Sequence, residues 1–383
     1  MRTVKVTEGH TLLTVPRASM EGPVPPTTPV FFNPAASTNR DVSVAIVEVT
    51  GGGTFCDAMA GIGPRGVRVA NEVTRDVRVT MVDINPASLR LAKRNAKANG
   101  VEEGCEFVRR DAGAYLTALG GEGDRFDCVD VDPFGTPAPY LQPLLNSVVD
   151  GGVASVTATD TAVLCGVHPQ VSKRRYGATP LNNEFHHETG IRILLNACRR
   201  QGAIVDLGVS PVAAHSTRHY IRVYFRVQVG ASKADSAARN EGYVIVCGIC
   251  GERERSTEPK KTCSACGGKA RSAGPLWTGP LSEKKTVRVA ADFARKNEFR
   301  EAEKALTGQV EAEEMPPWSF SLEKICSGLR IPTVAFSEVA GFLEGMGFES
   351  SRQPYETMGV KTDAGHADVL RAVKEASKPV GKA

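Results

Sequence analysis

Short apolar runs alternate with helical patterns from about Asp41 to Gly230, and that rhythm predicts an α/β domain with a largely parallel sheet. The runs that predict strands are Thr54–Ala58, Arg78–Asp83, Glu106–Arg109, Phe126–Val131, Gly152–Ala158, Ala203–Pro211 and Tyr220–Val229. Between the second and third, Asn85 is suited to cap a helix, Pro86 fits its first turn, and Gly100 ends it. Leu89, Ala92 and Ala96 mark the inner face of that helix; Arg90, Lys93, Arg94 and Lys97 face water. The last run alternates strictly, with Tyr220, Arg222, Tyr224 and Arg226 on one side. Such alternation predicts an antiparallel strand with one exposed face.

The flanks read differently. Residues 1–40 are rich in Pro, Thr and Val, with a Pro-dense turn from Pro23 to Pro29, and predict an irregular β extension. Ser232–Asn240 is small and polar, a linker by composition. Residues 241–273 hold four clustered cysteines, and residues 274–383 turn to charged helical patterns. There, a helical stretch near Thr286–Leu306 precedes helices at Ser321–Leu329 and Ser337–Met346 and an extended run from Phe348 to Val360. That order suggests a winged-helix-like α+β unit. The expected plan is an extension (1–40), a main α/β domain (41–230), a cysteine segment (241–273) and a C-terminal domain (274–383).

Composition narrows the classes. The 383 residues are 41% hydrophobic and 23% charged, which excludes a disordered, collagen-like or coiled-coil chain. A net charge of +4 permits a polyanionic partner where basic residues cluster. No apolar run approaches the ~18 residues of a membrane span. Glu8 and His10 interrupt the stretch a signal peptide would keep apolar, so an intracellular, cytoplasmic location is expected. Six of the ten cysteines (Cys56, Cys105, Cys128, Cys165, Cys198, Cys326) are scattered and read as small buried hydrophobes.

Candidate chemistry begins where the first strand ends. Asp57-Ala-Met-Ala-Gly61-Ile-Gly63-Pro-Arg65 runs from strand to helix through a glycine turn that lets a ligand approach the backbone. Asp83 ends the next strand, where a carboxylate accepts from ribose hydroxyls. Asp57 would repel a pyrophosphate but attract the ammonium of a methionine-type ligand, and Arg65 suits its carboxylate. Asp111 follows the third strand, placed to accept from an adenine amine while the Ala112 N–H donates to the ring. Separately each acid is an ordinary cap or turn residue. As a set they fit S-adenosylmethionine better than NAD.

The fourth strand runs into Asp132-Pro133-Phe134-Gly135. An exocyclic base amine is a poor nucleophile because its lone pair is delocalised into the ring. With Asp132 accepting one N–H and the Pro133 carbonyl the other, the nitrogen is drawn toward tetrahedral geometry. Phe134 is placed to stack on a base taken out of its stack. An Asp-Pro turn is the plain alternative.

Cys247-Gly-Ile-Cys250 and Cys263-Ser-Ala-Cys266 form two CxxC knuckles twelve residues apart, the spacing of a closed structural zinc site. Lys173-Arg174-Arg175-Tyr176 and the following His186, His187, Arg192, Arg199 and Arg200 mix basic and aromatic groups, a candidate RNA surface.

Asp57–Gly66, Asp130–Gly135, Thr157–Asp160 and Cys165-Gly together resemble the tRNA guanine-N2-dimethyltransferases of archaea and eukaryotes. So do Phe32-Asn-Pro, Asn39-Arg40-Asp41 and Gly274-Pro-Leu-Trp277. The resemblance covers most of the chain. It implies a class I, Rossmann-like methyltransferase domain with a smaller C-terminal domain that grips tRNA, dimethylating N2 of guanine 26 with S-adenosylmethionine. It further implies that Arg40, Arg65, Asp83, Asp111 and Ala112 bind the cofactor. Phe31 stands where the family has tyrosine, and the absence of a long basic tail points to the archaeal type. The other readings are methylation of an adenine or cytosine amine, or a zinc-stabilised RNA-binding protein without catalysis.

Overall fold

The computed structural model describes residues 2–21, 30–217, 220–356 and 358–378. The expected Pro23–Pro29 turn lies outside the described residues.

The chain opens with an antiparallel hairpin, β1 (Thr3–Glu8) and β2 (Thr11–Pro16), followed by helix α1 (Ser37–Thr50). Strand and helix then alternate: β3 (Thr54–Asp57), α2 (Pro64–Glu72), β4 (Arg78–Val82), α3 (Pro86–Ala98), β5 (Cys105–Val108), α4 (Ala112–Glu122) and β6 (Phe126–Val131). After α5 (Leu141–Asn146) come β7 (Val148–Ala158), α6 (Thr161–Leu164), α7 (Pro169–Tyr176) and α8 (His186–Ala203). Strands β8 (Leu207–Thr217) and β9 (Tyr220–Val229) and helix α9 (Ala231–Ala238) complete this part.

The seven strands β3–β9 form one sheet in the order β5-β4-β3-β6-β7-β9-β8. The first five run parallel, while β9 lies antiparallel between β7 and β8. Order reverses between β3 and β6, and open sheets of this kind bind ligands outside the strand C-termini at such a point. The pleat sends Val129 and Val131 toward α4, α5 and α8, while Cys128 faces the layer holding α1 and α2. Local signals account for the helix starts: the Asn85 side chain accepts from the Ala87 N–H at 2.9 Å, and Asp111 accepts from Ala114 at 2.9 Å.

Beyond α9, strands β10 (Glu241–Cys247), β11 (Arg253–Ser256) and β12 (Ala270–Trp277) make a small antiparallel sheet carrying the clustered cysteines. Helices α10 (Lys284–Lys296) and α11 (Arg300–Glu311) turn back onto α1. Val287, Ala290, Phe293 and Leu306 share a core with Val42, Val47, Phe55 and Met81. The C-terminal unit comprises β13 (Phe320–Ser321), α12 (Leu322–Leu329), α13 (Phe336–Gly345), β14 (Ser350–Arg352), β15 (Gly359–Thr362) and α14 (His366–Ala376) around its own core. Among the described residues no helix is long and apolar enough to cross a membrane.

Four expectations need correction. The segment expected to be a linker is helix α9, with Ala234 and Ala237 buried. Strand β8 begins at Leu207, because α8 continues through Ala203. The stretch near Thr286–Leu306 is two helices, broken at Glu298, whose φ is +61°. Finally, β9 is antiparallel as expected but has no exposed face at its start: Arg222 is 0% and Tyr224 2% exposed. Both belong to a buried polar cluster beneath the strand-end site.

Candidate active site

Asp57, Asp83, Asp111 and Asp132 stand at the C-terminal ends of β3, β4, β5 and β6 or just beyond, along one edge of the sheet. The glycine turn between β3 and α2 is built for close approach. Gly61 and Gly63 have φ of +56° and +74°; a Cβ on Gly63 would lie 2.9 Å from Ala92 and Met81, whereas none crowds Gly61. Asp83 fixes this turn, accepting from the Gly61 N–H at 2.8 Å and from Asn85 at 2.7 Å. Asp57 is buried and accepts from the Gly66 N–H at 3.1 Å. Burial pushes its carboxyl up to about 7; Arg65 opposes the rise, while Asp130 and Asp132 add to it. A cationic ligand beside it would favour the ionised form. Asp111 is exposed apart from its capping bond, and Ala112 is buried.

Arg65 joins the glycine turn to the Asp-Pro-Phe-Gly loop. Its Nη2 donates to Asp132 Oδ2, its Nη1 to Asn39 at 2.8 Å and to Ser43, and its Nε lies 3.1 Å from Asp130. Behind it, Asp130 accepts from Arg222 and, at 2.5 Å, from Ser155. Arg222 also donates to Thr157 at 2.6 Å and to Tyr224 at 2.7 Å. Burial alone would raise the Asp130 carboxyl, but Arg222 and then Arg65 outweigh it and hold it below the usual range. Asp132, 29% exposed, is thus an accessible carboxylate braced by a guanidinium that is itself pinned from behind.

The loop is also anchored from β7. The Gly135 N–H donates to Thr159 Oγ1 at 2.7 Å, and the Gly135 carbonyl accepts from Thr159 at 2.9 Å. Tyr176 ties Thr136 and Asp160 together through bonds of 2.6 and 2.7 Å. Pro133 is buried, while Phe134 is 78% exposed, with Phe31 edge-on at 5.0 Å. An aromatic ring so exposed beside a carboxylate offers a stacking surface.

Arg40 is drawn to the hairpin. It makes two 2.5 Å bonds to Glu8 and one of 2.9 Å to the Asn33 carbonyl. Glu8, Asn39, Ser43 and Arg222 are the residues that sequence reasoning missed. For Arg222 a signal existed: its charge faces Asp130 across a strand otherwise too apolar to carry an unpaired acid.

The proposed RNA surface contracts. Arg192 is buried, bonded to Glu188 and to the Trp277 and Gly279 carbonyls at 3.0 and 2.7 Å. Arg199 is buried against Glu241. Lys173, Arg174, Arg175 and Arg200 remain exposed, Arg175 in an ion pair with Asp160.

The Sγ atoms of Cys247, Cys250, Cys263 and Cys266 all lie within 4.8 Å of one another, with 3.6 Å between the first and last and 3.7 Å between the middle two. A tetrahedral zinc bonded at ~2.3 Å sets its sulfurs about 3.8 Å apart, so the set fits that ion. Backbone N–H groups of Ile249, Cys250, Ala265 and Gly268 point at the sulfurs from 3.3–3.4 Å, which favours thiolates.

The N2,N2-dimethylguanosine tRNA methyltransferase family matches residues 6–374. A tRNA (guanine(26)-N(2))-dimethyltransferase of Methanosarcina acetivorans is 36% identical, covering 97% of this chain and 98% of the relative. Its counterpart from Methanothermobacter thermautotrophicus is 35% identical over 96% and 97%. A structure of Trm1 from Pyrococcus horikoshii in complex with S-adenosyl-L-methionine superposes with a TM-score of 0.84 at 29% identity, covering 96% and 99%. With these matches, the Rossmann-like sheet and its acid-lined strand-end edge are those of a methyltransferase. More narrowly, the chain belongs to the N2,N2-dimethylguanosine tRNA methyltransferase family.

Proposed function

We propose that this chain transfers methyl groups from S-adenosylmethionine to N2 of guanine 26 in tRNA, forming N2,N2-dimethylguanosine. The observation that carries the mechanism is the open Asp132 carboxylate braced by Arg65 at the sheet's order reversal. Arg40, Asp57, Gly61, Gly63, Arg65, Asp83, Asp111 and Ala112 hold the methyl donor, with Asp57 toward its ammonium. The donor supplies an electrophilic methyl on a sulfonium. Phe134 stacks on the extruded guanine. Asp132 accepts one N2–H and the Pro133 carbonyl the other, which frees the nitrogen lone pair for direct attack. Positioning contributes most of the gain.

Cys247, Cys250, Cys263 and Cys266 hold a structural zinc that closes the β10–β12 sheet. The C-terminal unit, two helices followed by a β-hairpin, grips the body of the tRNA in the manner of a winged helix. Nucleoside mass spectrometry of unmodified tRNA treated with the protein tests the reading; dimethylated guanosine at position 26 is expected. Asp132→Ala should lower turnover by about 10³-fold while leaving donor binding intact. A methyl on an adenine or cytosine amine, or normal turnover in that variant, overturns it.

A further inference from the structure

A third group of donors converges away from the strand-end edge and the four cysteines. Cys165 follows α6 directly, and His186 and His187 open α8. The Cys165 Sγ and one ring nitrogen from each histidine all lie within 4.8 Å of one another. Cys165 is buried, both histidines are half-buried, and their rings stand 4.2 Å apart.

Successive helical residues point about 100° apart, so two neighbouring rings that converge need something to turn them. Here both are held by the nitrogen nearer the backbone. His187 Nδ1 lies 2.9 Å from Glu356 Oε2, and the other oxygen of that carboxylate accepts the His187 backbone N–H at 2.8 Å. His186 Nδ1 lies 2.5 Å from the Asn183 carbonyl. An acceptor at each Nδ1 keeps the proton there and leaves the Nε2 lone pair free. Carboxylate and carbonyl partners of this kind are the usual companions of metal-bound imidazoles.

We propose that Cys165 Sγ and the Nε2 atoms of His186 and His187 form a second cation site, for zinc or a similarly soft divalent ion. One sulfur and two imidazoles select such an ion over magnesium or calcium. A tetrahedral ion needs its donors about 3.5 Å apart, with the fourth position left to water. Closing from within 4.8 Å to that spacing requires the Cys165, His186 and His187 side chains to shift about the two Nδ1 anchors. Glu356 comes from the C-terminal unit, so filling the site ties that unit to α6 and α8. His187 and Glu356 also line a groove of about 1220 Å³ between the units, and the ion would stiffen its wall. None of this rests on the methyl-transfer reading.

The test counts zinc per chain by plasma mass spectrometry on the full-length protein purified from zinc-supplemented cells. The wild type should carry two equivalents. Cys263→Ser/Cys266→Ser and His186→Asn/His187→Asn should each carry one, and Cys165→Ser, which changes a single atom, should also lose one. Cobalt(II) added to protein whose four-cysteine site is already filled with zinc should give charge-transfer absorption from one thiolate, absent in Cys165→Ser. One zinc in the wild type, unchanged by the histidine and Cys165 substitutions, overturns the proposal. So does a Cys165→Ser protein that folds and keeps two. Loss of the four-cysteine zinc is read separately from the Cys263/Cys266 protein.

Discussion

Asp130 and Glu188 are both wholly buried, both face two cations and both are held below the usual carboxylate range, yet they serve different ends. The cations of Asp130 come from α2 and β9, and one of them, Arg65, reaches on to the open Asp132. Glu188 is enclosed. Arg192 from its own helix bonds one oxygen at 2.7 Å, Lys361 from β15 reaches both at 2.8 and 2.6 Å, and Gln353 donates at 2.7 Å. The same device therefore braces the open carboxylate proposed for catalysis in one place and fastens the C-terminal unit to helix α8 in the other. Whether a charge cluster serves function or cohesion depends on whether its last member meets solvent.

The largest effect should come from breaking the enclosed cluster. Glu188→Gln strands Lys361 and Arg192 without a counter-charge and should cost about 3–5 kcal/mol in denaturant unfolding. Turnover per folded molecule should change little. Burial works to raise Glu188, but Lys361 and then Arg192 outweigh it and bring the carboxyl to about 2, against an ordinary 4.5. A depressed acid stabilises above its unfolded value, so this contribution is complete above about pH 4.5 and fades as pH falls toward 2. Acid unfolding of the variant should lack that component. Equal stability of the two proteins would erase the distinction drawn here.

Asp130→Asn should act on rate as well. Arg65 keeps Asp132, but buried Arg222 loses the carboxylate it pairs with, a stability loss of about 3 kcal/mol. Slackened bracing of Asp132 should lower kcat roughly tenfold, with KM for the methyl donor nearly unchanged. An unaltered kcat would mean that Asp132 needs no backing. The smallest effect concerns Asp57. Its carboxyl, pushed up to about 7 by burial, ionises as pH rises from 6 to 8, so donor affinity measured by calorimetry should strengthen by roughly severalfold across that range. Asp57→Asn should flatten the dependence.

Much of the sheet was legible because its strands are short apolar runs punctuated by glycine, proline and acids, and the register of those acids at strand ends follows from spacing alone. The antiparallel sense of β9 was readable too. Its burial was not: alternating Tyr and Arg look solvated unless the acid opposite, Asp130, is known to be drawn into the same layer. Helix α9 was hidden by its small polar residues, which resemble a linker until Ala234 and Ala237 find a surface to cover. Arg192 had a legible partner in Glu188, four residues before it, but not the distant Trp277 and Gly279 carbonyls, Gln353 and Lys361 that bury the pair, and Arg199 pairs with remote Glu241. Long-range pairing decided each of these cases.

The return of α10 and α11 onto α1 has a practical side. A fragment stopped before Lys284 would keep every strand of the large sheet but bare Val42, Val47 and their neighbours, inviting clumping rather than an excisable catalytic module. A cut after Glu311 would spare that core but still uncover Glu188 and Tyr355, so a foreign tail belongs beyond helix α14.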